Sequence, residues 1–168
     1  VKEHFRSFTP ARNLNTLLGL PLGVLMQDSP ERSLLGWLKV FLWGVYLILF
    51  KYRYPEVLVL EYGIDKPGEM EMLTNIARPN IAILTGVGES HLEFFESREH
   101  LADEKGKLIS SLVSGGTAII NRSNEAAVLQ AKKIFESRKD IKFLDYAIYG
   151  FEDAAVHADD VSESFEGA

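Results

Sequence analysis

The stretch that decides the fold is EVLVLEYGIDKPGEMEMLTNIARPNIAILTGVGESHLEFFESREHLADEKGK, residues Glu56–Lys107. It contains two short apolar runs, Val57–Leu60 and Ile81–Leu84, which are rich in β-branched residues and end at polar or glycine positions. Runs of this kind are typical of buried parallel strands. Ligands of open α/β sheets bind beyond the carboxyl ends of the strands. Glu61, after the first run, and His91, after the second, are therefore predicted to face one crevice.

Helical and strand patterns alternate on both sides of this stretch, whereas residues 1–12 show no clear pattern. Asn13–Thr16 is predicted to be a loop before a short helix, and Ser29-Pro30 to start a longer one. The alternation favours an α/β fold with a mostly parallel sheet and helical crossovers. Helices are predicted over residues 34–50, 69–77, 97–113 and 125–138, and further strands over 117–120, 141–144, 148–150 and 154–157.

Apolar periodicity predicts which side chains of three helices face the core. The predicted inward residues are Met70, Leu73, Ile76 and Ala77 in the first, Leu101, Leu108, Ile109 and Leu112 in the second, and Ala127, Leu129, Ile134 and Phe135 in the third.

The composition is that of a globular domain, with 168 residues, 46% hydrophobic and 25% charged. A net charge of -6 argues against a nucleic-acid surface, which needs clustered Lys and Arg. The absence of cysteine excludes disulfides, thiolate zinc sites and cysteine nucleophiles, and it fits a reducing compartment. The first ten residues lack the apolar centre of a signal peptide, and the chain lacks an initiator Met, so it is expected to be a fragment. A cytoplasmic location is expected only from the family resemblance described below. One domain is predicted over residues 1–158, followed by a poorly ordered acidic tail, 159–168.

The segment Leu34–Phe50 is nearly all apolar, with Lys39 inside it. A membrane span needs roughly 20 apolar residues, and this segment is shorter and carries a charge. A buried or surface-packed helix is therefore favoured. The flanking residues 51–54, Lys-Tyr-Arg-Tyr, resemble interfacial anchors, so a peripheral membrane contact stays open as an alternative.

Three residues of the deciding stretch are capable of chemistry, although each also has an ordinary explanation. Glu61 offers the hard oxygen ligands that Mg²⁺ prefers, or it is a polar strand end. His91 is a metal ligand, an acid/base group or a solvent-facing loop residue. On its local sequence alone, Lys105 is assigned to a solvated face of a helix. The sequence contains no zinc motif, nucleophile elbow or GxGxxG loop.

Taken together and in order, the motifs of this chain resemble the central, ATP-binding domain of the Mur ligases. Within that family they are most similar to the MurF type, and the resemblance implies a three-layer fold like that of the P-loop NTPases. It is carried by residues 13–16 with 19–21, 60–63 with 68–69, 78–82, 90–97, 102–107 and 116–121.

The resemblance implies a ligase that uses ATP and Mg²⁺ to join D-alanyl-D-alanine to a UDP-N-acetylmuramoyl peptide through an acyl phosphate. It implies that Glu61, His91 and Lys105 bind the metal, with His91 and Lys105 also catalytic. Lys105 matches a lysine that is carbamylated in this family. That modification replaces a cation of pKa about 10.4, which would repel a metal, by an anionic oxygen ligand. Asn121 would lie on the nucleotide side, and a substrate loop would contain Asn13, Asn15 and Thr16.

Several departures from the family pattern shape the expectations. The family's phosphate-binding loop, GxxGKT or GxxGKS, does not precede Asn13, and the usual C-terminal domain does not follow. Gly86 stands where an Asn is usual, and Ser123-Asn124 where an acidic pair is usual. The chain alone is therefore expected to be an inactive, incomplete domain. Two alternatives stay open: a folylpolyglutamate or cyanophycin-type ligase, and a non-catalytic module that binds through residues 34–50.

Overall fold

The computed structural model describes residues 3–10, 13–50, 54–88, 92–147, 151 and 153–157. These residues divide into two compact units, 1–64 with 75–77 and 65–74 with 78–168. The elements in chain order are β1 (Ser7–Phe8), α1 (Gly19–Val24), α2 (Leu34–Phe50), β2 (Val57–Leu58), α3 (Glu69–Ile76), β3 (Ile81–Leu84), a 3₁₀ turn (Leu92–Phe94), α4 (Arg98–Ser110), β4 (Thr117–Asn121), α5 (Glu125–Ser137), β5 (Lys142–Ala147) and β6 (Val156–His157).

The second unit is built on a four-stranded parallel sheet in the order β3-β4-β5-β6. Helix α4 contacts β3, helix α5 contacts β4, and the two helices contact each other. Burial along β3 has a period of two, because Ala82 and Leu84 are buried while Ile81 and Ile83 are 62% and 52% exposed. The predicted α/β class with parallel strands flanked by helices is confirmed. In the described residues, however, β3 is buried on one face only, not on both.

The sheet-covering helices begin where polar side chains satisfy their free backbone N–H groups. The Ser97 hydroxyl accepts from His100 N–H at the start of α4, and the side-chain oxygen Oδ1 of Asn124 accepts from Ala127 N–H at the start of α5. The predicted inward set of α4 is confirmed, since all four residues are buried: Leu101, Leu108, Ile109 and Leu112.

Two other predicted inward sets are partly wrong. In α5, Leu129 and Phe135 are 52% and 47% exposed, because the stripe that faces the sheet runs through Ala127, Gln130, Ala131 and Ile134. That stripe has ordinary helical spacing, but it contains one Gln and two Ala. The prediction, which was based on large apolar side chains, therefore chose the wrong face for Leu129 and Phe135. In α3, Met70 and Leu73 are buried as predicted, but Ile76 is 41% exposed.

The predicted strands are confirmed with shifted ends. The third runs to Asn121 and the fourth covers Lys142–Ala147, while a short strand at Val156–His157 replaces the one predicted over 154–157. The predicted strand at 148–150 and the tail at 159–168 lie outside the described residues. The domain boundary predicted at residue 158 therefore stays a prediction.

The first unit contains a two-stranded parallel sheet, in which Ser7 pairs with Val57 and Phe8 with Leu58. Its first strand lies in the segment 1–12, where the sequence shows no pattern. Regular pairing in β2 is shorter than the predicted strand, although Val59 N–H still donates to the carbonyl of Phe8. The apolar runs Val57–Leu60 and Ile81–Leu84 therefore contribute to separate sheets in the described residues.

Helix α2 ends at Phe50 as predicted, but it begins at Leu34, later than the start predicted at Ser29-Pro30. The hydroxyl of Ser33, not Ser29, accepts from the backbone N–H of Gly36 at 3.1 Å. Glu31, at φ 50°, turns the chain before the helix begins, which moves Pro30 out of the first turn. None of the helices in the described ranges has the length and hydrophobicity to cross a membrane.

Candidate functional site

In the first unit, Asn15 and Glu61 are brought together from distant parts of the sequence. The side-chain amide of Asn15 donates to Oε1 of Glu61 at 3.0 Å. The backbone N–H of Gly63 donates to the Asn15 carbonyl at 2.8 Å, so the loop before α1 and the segment after β2 are fixed to each other. Asn15 thereby orients a carboxylate that is itself exposed to solvent.

Gly63 is required by this close approach rather than by an unusual backbone angle. A Cβ at position 63 would lie 2.9 Å from Cγ of Asn15. Replacing Gly63 with Ala is expected to displace the Asn15 side chain and to lower the free energy of unfolding by about 1–3 kcal/mol. Urea denaturation checks this, with Gly88→Ala as the matched control, since a Cβ at Gly88 meets no atom within 4 Å. Equal stability of the two variants would contradict the close packing at Asn15.

The other two predicted substrate residues have different surroundings. The Thr16 hydroxyl accepts from Gly19 N–H at 3.3 Å, and its carbonyl accepts from Leu20 N–H at 2.8 Å. Thr16 therefore forms the entry to α1. Asn13 is exposed. The substrate-binding roles of Asn13, Asn15 and Thr16 stay predictions.

Tyr62, the residue after Glu61, is anchored in the first unit, and the sequence pattern did not single it out. Its hydroxyl donates to the carbonyl of Ala77, just after α3. Burial raises the pKa of Tyr62 to about 12, so the phenol stays protonated and remains a donor at physiological pH. Glu61 is thus followed by a residue anchored in the same unit.

In the second unit, Lys105 is directed toward the carboxyl end of β3. Its Nζ donates to the carbonyl of Gly86 at 3.4 Å, and its side chain is half-buried. Burial lowers the pKa of this ammonium group. The default interpretation of residues 102–107 as a solvated helix face is therefore wrong at this position, because α4 turns Lys105 toward the sheet.

Two asparagines fix the turn that Lys105 contacts. Nδ2 of Asn121 donates to the Thr85 carbonyl at 2.8 Å, and Oδ1 of Asn124 accepts from Val87 N–H at 3.3 Å. Gly86 lies between these contacts, and a Cβ there would be 3.1 Å from Nδ2 of Asn124. The predicted nucleotide-side residue Asn121 and the predicted catalytic Lys105 thus hold the same turn at the carboxyl end of β3.

Glu104 is a buried carboxylate that the sequence pattern assigned to the helix surface. Its side chain is only 2% exposed, accepts from Met70 N–H at 3.0 Å and pairs with Nζ of Lys107 at 2.7 Å. Burial acts to raise the pKa of Glu104, but the bonds from Lys107 and from the backbone N–H groups of Gly68 and Met70 prevail and lower it. Glu104 thereby ties α4 to the start of α3.

The predicted convergence of three metal ligands stays a prediction. His91 lies outside the described residues, and Glu61 and Lys105 belong to separate units. Among the described residues, no group of three or more His, Asp and Glu could hold a metal ion. The Glu61 carboxylate has the oxygen chemistry that Mg²⁺ prefers. Unmodified Lys105 does not fit a metal, since it is a hydrogen-bond donor with no acceptor.

Comparison with known proteins places this arrangement in a family. The family model described as the Mur ligase middle domain matches residues 42–168. The UDP-N-acetylmuramoyl-tripeptide–D-alanyl-D-alanine ligase of Bacillus subtilis is 31% identical over 115 residues, covering 68% of this chain and 20% of that protein. The ligase of the same name from Borreliella burgdorferi is 24% identical over 173 residues, covering 99% of this chain and 32% of that protein.

Solved structures agree on the fold. The structure of UDP-N-acetylmuramoylalanyl-D-glutamyl-2,6-diaminopimelate–D-alanyl-D-alanyl ligase from Acinetobacter baumannii has a TM-score of 0.58 at 19% identity, covering 86% of this chain and 26% of that one. A structure of MurF from Acinetobacter baumannii has a TM-score of 0.52 at 21% identity, covering 90% and 32%. The chain spans a fifth to a third of the two relatives' lengths. By the match over residues 42–168, the chain belongs to the Mur ligase family and carries its middle domain.

Proposed function

We propose that this chain is part of an ATP-dependent carbon–nitrogen ligase of the MurF type, joining D-alanyl-D-alanine to a UDP-N-acetylmuramoyl tripeptide. The relatives named above support this substrate pair over the folate and cyanophycin alternatives. The observation that carries the proposal is the half-buried Lys105, directed at the Gly86 carbonyl beyond β3. A half-buried lysine at the carboxyl end of a strand is suited to the role of the lysine that is carbamylated in this family.

Lys105 is prepared for this modification by its surroundings. A lowered pKa leaves more of the amine neutral at a given pH, and only the neutral amine attacks carbon dioxide. The new N–C bond forms as the nitrogen loses a proton, and the product is an anionic carbamate. Its oxygens accept hydrogen bonds and bind hard cations, which the free ammonium does not do.

The other residues of the proposed site bind and orient. Asn15 holds one oxygen of the Glu61 carboxylate, which leaves that group oriented for a cation. Asn121 fixes the Thr85 carbonyl on the proposed nucleotide side. ATP with Mg²⁺ supplies the phosphoryl group that activates the substrate carboxylate. Glu61, His91 and carbamylated Lys105 are the proposed metal ligands, and a cytoplasmic location is the proposed setting.

Carbamylation is tested directly by ¹³C NMR of the chain in ¹³C-bicarbonate. We expect a carbamate signal whose intensity rises with pH, with its onset below that of an ordinary lysine, because the pKa of Lys105 is lowered. Lys105→Arg is the matched control: it keeps the positive charge and should remove the Lys105 signal, while the carbamate signals of the N-terminal amine and of the other lysines stay. Spectra of the unmodified chain and of Lys105→Arg that show the same carbamate signals at every pH would contradict the role proposed for Lys105.

The ligase activity is tested separately, in a chimera that carries this chain in place of the matching segment of the Bacillus subtilis relative. We expect phosphate release that requires both the UDP-linked tripeptide and D-alanyl-D-alanine. Release that instead requires a folate and glutamate would favour the polyglutamate alternative.

A further inference from the structure

Helix α2 presents an apolar face to solvent along its full length. The helix buries only Val40 and Leu47. The opposite side is formed by large apolar residues at helical spacing, and it includes Leu38, Phe41, Leu42, Val45, Ile48 and Leu49. Phe41 and Ile48 are 67% and 76% exposed. Exposed apolar patches of this extent mark interaction sites.

The attachment of α2 to its own unit leaves that face free. The indole N–H of Trp43 donates to the Leu25 carbonyl at 2.8 Å, and Gly44 passes close to the side chain of Leu25. Tyr46 stacks on Trp43 and contacts Phe50 along one flank of the helix. The helix is therefore held by its buried stripe, and the aromatic rings lie beside the exposed face.

The charge around α2 is opposite to that of the whole chain. No acidic residue lies between Glu31 and Glu56, whereas four basic residues do: Arg32, Lys39, Lys51 and Arg53. The chain as a whole carries a net charge of -6. A basic, acid-free segment around an exposed apolar helix is complementary to an anionic lipid surface. It is less suited to a second copy of this chain, because an isologous contact would bring two basic, acid-free segments together.

The length of the helix decides how it would meet a bilayer. Its 17 residues rise about 1.5 Å each, so it is about 25 Å long and shorter than a hydrocarbon core of about 30 Å. Because α2 stays attached to its own unit through Val40 and Leu47, it meets a bilayer from the side, with its axis parallel to the membrane plane. The cations beside its two ends can then stay among the lipid headgroups. We propose that α2 is a membrane-docking helix that inserts its exposed apolar face into an anionic lipid surface. This proposal is independent of the ligase activity.

Vesicle binding of the 168-residue chain tests this proposal. We expect the chain to sediment with vesicles of phosphatidylcholine containing phosphatidylglycerol, and less with phosphatidylcholine alone. Both tryptophans of the chain lie in α2, so their emission should shift to shorter wavelength on binding. The variant Phe41→Asp/Ile48→Asp should bind at least about tenfold more weakly, because two charges enter the inserted face. Lys39→Glu should weaken binding about fivefold or more, through the lost lipid attraction.

The matched control is Leu129→Asp, which charges a half-exposed leucine of α5 and should leave vesicle binding unchanged. Circular dichroism of every variant checks that the helices persist. Equal binding by Phe41→Asp/Ile48→Asp and by the unmodified chain would overturn the proposal. A stable dimer that does not bind vesicles would also overturn it and would assign the exposed face to a second copy of the chain. A monomer that does not bind vesicles would overturn it too and would assign the face to another protein.

Discussion

Replacing Glu104 with Gln is expected to lower the free energy of unfolding of this chain by about 2–3 kcal/mol. The substitution removes the charge that accepts from Met70 N–H and pairs with Lys107, at a position that is 2% exposed. The loss should fall below the full cost of breaking a buried ion pair, because the Lys107 side chain is 42% exposed and can be solvated. Urea denaturation measures the effect.

The same carboxylate predicts a pH dependence with a definite sign. The pKa of Glu104 is lower in the folded protein than in the unfolded chain, so the unfolded chain binds the extra proton first as the pH falls. Its contribution to stability is complete above the unfolded pKa, and it is lost as the pH falls through the folded pKa. The stability difference between the unmodified chain and Glu104→Gln should therefore shrink on acidification.

The control for both measurements is Glu136→Gln, which removes an exposed carboxylate near the end of α5. It should change stability by less than about 0.5 kcal/mol at any pH. An equal effect of the two substitutions would mean that Glu104 is not the buried link between α4 and α3.

Replacing Lys105 with Ala is expected to lower turnover of the chimeric ligase by about 100- to 1,000-fold, the usual cost of removing one electrostatic group from an active site. Lys105→Arg should lose as much, because a guanidinium keeps the charge but forms no carbamate. Phosphate release under saturating substrates measures the loss. This separates a role for the modified lysine from a role for its positive charge.

Lys132→Ala is the matched control, since Lys132 is an exposed lysine on α5. Its turnover should stay within about twofold of the unmodified chimera. Near-normal turnover of Lys105→Arg would remove the carbamate from the mechanism, even if Lys105→Ala were inactive.

The sequence predicted those parts of the fold in which local pattern and burial agree. The inward residues of α4 follow one clean helical stripe, and their burial is confirmed. In α5 the stripe that packs on the sheet includes Ala127, Gln130 and Ala131, whereas Leu129 and Phe135 are exposed. Hydrophobicity alone favours the larger side chains, but small ones let a helix approach a sheet closely.

The local sequence pattern does not predict contacts between residues that lie far apart in the chain. Strand β1 is two residues long, and it is defined by its partner Val57–Leu58, not by any periodicity of its own. The bond from Asn15 to Glu61 joins residues 46 positions apart, and the sequence placed them in different roles. Glu104 sits in a charged run, for which the pattern predicts a solvated face; its burial depends on the backbone N–H of Met70 in α3, which the pattern does not reveal.

The close approach of Gly86 and Asn124 links the evolutionary histories of the two positions. Any side chain at position 86 would meet the Asn124 amide at about the distance where a neighbour must give way. Asn124 also caps α5, so losing it first would cost about 1 kcal/mol but would free the space. Substitutions at the two positions should therefore be epistatic: a larger residue at 86 should cost less stability once the side chain at 124 has been shortened or has moved.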